Sequence, residues 1–156
     1  MPTETTMRSV DPLEHSKRFL SPSVSQRLLS WMPYVSIYHK EIDHINTQLS
    51  NRDSAGIINL WDSKFLWENA QKIGSIFCER LFWKFNRFIP NDRLNIIFRD
   101  YSASLVDDLK IVDCLMAIQK EYSIEIVIDI QNGHYSDLVS ECIQAVNRKN
   151  SESNGQ

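Results

Sequence analysis

DDLKIVDCLMAIQKEYSIEI, residues 107–126, carries two different periodicities. Leu109, Val112, Leu115, Met116 and Ile118, with Leu105 just before them, recur at steps of three and four and form one apolar stripe, the pattern of an amphipathic helix. After Tyr122 the step becomes two. Ile124, Ile126, Ile128 and Ile130 fall on one side and Val127 on the other, as in an extended chain. The spacing predicts a helix over 105–121 running into an extended segment over 122–130. Ser104 followed by Asp107 fits a capping arrangement in its acidic form, and Asp107 and Asp108 suit the positive end of the helix. One strand-like segment has no strand to pair with. It is therefore expected to be a connector packed on helices, and the fold class is all-α.

Working outward, Asn132-Gly133 turns the chain, and Ser136 is placed to cap a last helix over 137–148, with Arg148 and Lys149 at its end. Before the central stretch, SKFLWENAQKIGSIFCERLFW (63–83) reads as a long helix capped by Asp62 or Ser63. Phe65, Ile73, Phe77 and Leu81 repeat on one face, with Leu66, Ala70 and Ile76 beside them. Residues 84–100 lack a helical period. They contain the turn IPND with Phe88, Ile89, Leu94, Ile96, Ile97 and Phe98 around it, so they are expected to form a long loop pinned to the core. NRDSAG (51–56) is a polar break. Upstream, Tyr38, Ile42, Ile45 and Leu49 make one face of a helix over 36–50, and a short helix is expected within 17–32, stopped by Pro33. The expected organisation is a disordered tail at 1–16, an N-terminal helical arm at 17–56, a helical bundle at 57–149 and a disordered tail at 150–156.

Composition is ordinary for a soluble domain: 156 residues, 42% hydrophobic and 24% charged, with four Gly and five Pro. No apolar run is long enough for a membrane span, and MPTETTMRSVDPLEH lacks the apolar core of a signal peptide, so a cytoplasmic protein is expected. Cys78, Cys114 and Cys142 sit in apolar helical patterns and read as buried thiols, and no His/Cys spacing suggests a metal site. Charge is uneven. Residues 1–99 hold 13 basic and 10 acidic residues, net +3, whereas residues 100–156 hold 4 and 10, net −6. There is no glycine-rich phosphate loop, nucleophile elbow or zinc-protease motif. Asp107 and Asp108 diverge by about 100° on a helix, so they do not converge as an acid–base pair. An enzyme is not expected.

The helical order of 63–148 resembles the acyl carrier protein fold. The resemblance is densest over 107–126, where Asp107, Leu109, Val112, Met116, Ala117, Glu121, Ile124, Glu125 and Ile126 stand at the family's spacing. Asp113 keeps an acid, and Tyr122 stands for the family's aromatic residue. It implies an acyl-carrier-like bundle of three or four helices with an N-terminal helical extension. In carriers a serine hydroxyl bears the phosphopantetheine arm, and in this register that position is Asp108, which cannot carry it. A second register, DYSASL (100–105), puts Ser104 at the attachment site, one helical turn earlier. Ser104 otherwise reads as a helix cap. The family's acidic recognition helix is kept in part by Asp107, Asp113 and Glu121, while Lys110, Gln119 and Lys120 replace acids.

The resemblance implies a non-catalytic, carrier-like binding module with no cofactor. It would meet a protein partner through Asp107, Asp108, Leu109, Asp113 and Met116. The alternatives are a working acyl or peptidyl carrier with phosphopantetheine on Ser104, and a helical regulator that binds an acidic partner through its basic N-terminal half. A net charge of +3 over 99 residues is thin for nucleic acid, which is not an expected partner. The helix at 36–50 either packs on the bundle or pairs with a second copy.

Overall fold

The computed structural model describes residues 10–20, 37–99 and 105–153. Among these residues every regular element is a helix, giving an all-α bundle. In chain order they are α1 (Lys17–Leu20), α2 (Ile37–Asn51), α3 (Ser54–Ile58), α4 (Lys64–Leu81), α5 (Leu94–Ile97), α6 (Leu105–Tyr122) and α7 (Tyr135–Ser153).

The central helix is α4, which packs against both α6 and α7. Ser63 is its cap, its Oγ accepting the Leu66 N–H at 3.2 Å. Ala70, Ile73, Phe77 and Leu81 are buried along one face. Phe65, expected on that face, is exposed instead, because it lies in the first turn, where Asn69 takes the buried place one turn on. The helix ends at Phe82, whose φ of 59° puts it in the left-handed region.

Phe77 is the centre of the core. Its ring lies 5.5 Å from Phe88, 5.2 Å from Phe98 and 5.7 Å from Tyr135, and Trp61 meets Tyr135 edge-on at 5.5 Å. Phe88 and Phe98 come from the segment expected as a pinned loop. It is irregular, carries the short α5, and buries Phe88, Ile89, Leu94, Ile96, Ile97 and Phe98. The Arg93–His134 bridge ties this loop to the start of α7, with the Leu94 N–H on Gly133 O and the Tyr135 N–H on Asp92 O. The connector expected over 122–130 is shorter: Tyr122 belongs to α6 and Ile130 to a turn, and residues 125–129 between them form no regular element, with Ile126 and Ile128 packed on the core.

Three boundaries differ from the sequence reading. The described part of the N-terminal tail, 10–16, is not loose. Leu13 is buried in the common core, its N–H donates to Asp92 Oδ1 at 2.8 Å, and Glu41 receives the Ser16 N–H and hydroxyl. The arm is not separate from the bundle either. Ile45 and Leu49 of α2 lie in the same core as Phe77, so this face of the helix packs on the bundle. Last, α7 begins at Tyr135 and runs through Ser153. Ser136 is inside the helix, and it is Asp137 that reaches back, accepting the His134 N–H at 2.7 Å. Nothing stops the helix at 149: Ser151 and Ser153 fold their hydroxyls onto carbonyls one turn back. Trp31 and the remainder of the expected 17–32 helix lie outside the described residues, as do residues 1–9.

Candidate functional site

Helix α6 is apolar on two sides. Its inner side is built from Cys114 and Ile118, which are buried, with Ile111 and Leu115 packed beside them. Its outer side carries Leu109, Val112 and Met116, which are 63%, 52% and 62% exposed. These three are spaced i, i+3 and i+7, so they form one line about 10 Å long. The single stripe expected from sequence is thus two. Val112, read there as part of one apolar face, stands outward with two of the expected partner residues.

A further exposed apolar side chain, passed over in the sequence reading, stands near this helix. Phe82, just past α4, is 65% exposed. The ammonium of Lys110 lies 5.4 Å from the centre of its ring, which brings Phe82 beside the start of α6. One signal was present: Leu81-Phe82-Trp83 cannot all face inward, and here Leu81 and Trp83 do. On the flank, Asp113 pairs with Arg80 at 3.3 Å, both side chains being well exposed. Such a pair contributes little stability and leaves the carboxylate open to water.

Of the expected site residues, Leu109, Asp113 and Met116 share this outer side. Asp107 and Asp108 lie in the first turn of α6, where the structure describes the backbone and not the side chains. Ser104 lies outside the described residues. The described residues of this outer side offer apolar area and charge. Cys114 is on the inner side; burial, with the charge of Asp113 added, pushes its thiol up to about 12 against a partial offset from Arg80. Among the described residues no three His, Cys, Asp or Glu are grouped to hold a metal, and no helix is long and apolar enough to cross a membrane.

Part of the positive charge of residues 1–99 is used inside the fold, while Lys17, Lys40, Lys64, Lys72, Lys84 and Arg93 are exposed. Arg52 and Arg99 are buried, and Arg87 turns its guanidinium onto the carbonyls of Ser50 and Arg52. A shallow concavity of about 380 Å³ lies elsewhere, lined by Leu60, Trp61, Asp62, Ile89, Asn91 and Ser136, with no convergent titratable pair. Comparison with protein-family models, curated proteins and solved structures finds no match.

Proposed function

We propose that the chain is a non-catalytic binding module that meets a protein partner through the outer side of α6. The observation that carries this reading is the line of Leu109, Val112 and Met116, all more than half exposed on a helix whose other side is core. Isolated exposed apolar residues need no explanation, but three in a row on one side of a helix suit a contact surface. Asp113, with Asp107 and Asp108 at the head of the helix, would set the polarity of the rim. The resemblance to carriers supports the same helix as the recognition element, with Asp108 where the arm-bearing serine would stand, and so a carrier shape that works by contact alone.

The test places a photo-crosslinking residue at position 112, and for comparison at position 144 on the exposed side of α7, in the full chain. A discrete adduct in lysate is expected from 112 alone, and Leu109→Ser with Met116→Ser should abolish it while helical circular dichroism stays unchanged. Equal labelling from both positions would remove the basis for the reading. A companion measurement is intact mass after incubation with coenzyme A and a broad phosphopantetheinyl transferase. No mass gain is expected. A gain of one phosphopantetheine that Ser104→Ala eliminates would make the chain a working carrier instead.

A further inference from the structure

A second surface lies past the end of α6. Ser123, with φ of 52°, turns the chain out of the helix into EIVID, residues 125–129. Exposure alternates along it. Glu125, Val127 and Asp129 are exposed, while Ile126 and Ile128 are half-buried against the core. A period of two is that of extended chain. Val127 is 82% exposed. Among the described residues, the backbone N–H and C=O groups of residues 125–128 have no hydrogen-bond partner. An extended run rich in β-branched residues with a free backbone edge is a template for another strand.

We infer that residues 125–129 form a docking edge that accepts an extended segment of a partner protein as an added strand, the segment alternating basic, apolar and basic residues. Backbone hydrogen bonds would supply the pairing and the outward side chains the choice of partner. Residues opposite one another across two strands lie about 5 Å apart, close enough for charge to decide. The outward row here is acid, valine, acid. A partner row of Lys or Arg on either side of a β-branched residue meets it favourably at all three places. A second copy of this chain does not. Antiparallel pairing about Val127 sets Glu125 against Asp129 twice, and parallel pairing in register sets each acid against itself. Asp129 holds its charge, because its carboxylate receives the Asn132 amide and the Gln131 N–H. It also anchors the turn that ends the segment, so the edge is held at both ends.

The test uses the full chain labelled with nitrogen-15 and a synthetic peptide with the core Lys-Val-Lys-Val-Lys between Gly-Ser flanks. Binding that weakens with added salt is expected. Alternate amides within 125–129 should slow in hydrogen exchange by about tenfold or more, since one added strand pairs with every second residue. The matching Glu-Val-Glu-Val-Glu peptide should produce no slowing at the same concentration. Unchanged exchange at 125–129 with the basic peptide at millimolar concentration would overturn the inference, as would equal slowing by the acidic one. Protection that appears without peptide and rises with protein concentration would overturn it in favour of a second copy.

Discussion

At Gly74 an added Cβ would stand 1.9 Å from Asn86 Oδ1 and 2.8 Å from its Cγ. Asn86 is held there by its own amide, which donates to Gln71 O at 2.9 Å and reaches Ser75 Oγ at 3.2 Å. The loop after α4 therefore lies directly on the helix, and glycine is the residue that permits the approach. Gly74→Ala gains helix propensity worth up to about 1 kcal/mol. The clash is larger, because Asn86 cannot move without losing its bonds, and overpacking of this kind costs about 1–3 kcal/mol. A net loss of stability is expected in urea unfolding, reduced when Asn86→Ala is added. A second effect at this scale concerns the thiols. Burial pushes Cys78 up to about 11 and Cys142 to about 12, as it does Cys114. A raised pKa in the folded state means the folded chain binds the proton more tightly than the unfolded one. Its stabilising effect is complete below the ordinary thiol value of 9.0 and is lost as pH rises from there toward 12. Unfolding midpoints should fall across that window. In native protein at pH 9, iodoacetamide should label Cys114 and Cys142 far more slowly than in urea.

The two sides of α6 give opposite expectations for residues only two positions apart. Ile118→Ala empties a fully buried site and should cost about 2–5 kcal/mol. Met116→Ser changes a side chain already more than half in water and should shift stability by about 0.5 kcal/mol or less. Thermal unfolding of the two variants decides whether Met116 serves packing or contact; a large loss in Met116→Ser would place it in the core. The same helix shows what sequence can reveal. Its extent, the cap of α4 at Ser63 and the alternation of the connector were all legible, because each depends on residues adjacent along the chain. Which apolar residues of α6 face outward was not legible, since its apolar side chains go almost all the way round and only the position of α4 selects a side. Leu13 was missed for a related reason. It is one apolar residue in a polar run, and its burial depends on Asp92, 79 positions away. Asp92 in turn looked like an ordinary turn residue.

Across the whole molecule, Asp92 is where separate segments meet. Its carboxylate is fully buried and takes two bonds from Arg52, at 2.6 Å and 2.7 Å, and one each from the Leu13 and Ile89 N–H groups. Arg52 also donates to Asp11 O and Arg87 O, and the carbonyl of Asp92 receives the Tyr135 N–H. One residue thus joins the N-terminal segment, the end of α2, the pinned loop and the start of α7. Two accounts of its worth can be separated. If the ion pair dominates, Asp92→Ala strands a buried guanidinium and should cost about 3–5 kcal/mol, while Arg52→Met with Asp92→Leu should restore most of it. If reception of the backbone N–H groups matters as much, the double variant still leaves Leu13 and Ile89 unsatisfied, at about 1–3 kcal/mol each. Both N–H groups are held at hydrogen-bond distance in a site closed to water, so the second account is the stronger. The double variant is expected to recover only part of the loss in urea unfolding, and the Leu13 amide should exchange quickly in both variants. Full recovery with a protected Leu13 would assign Asp92 to the ion pair alone.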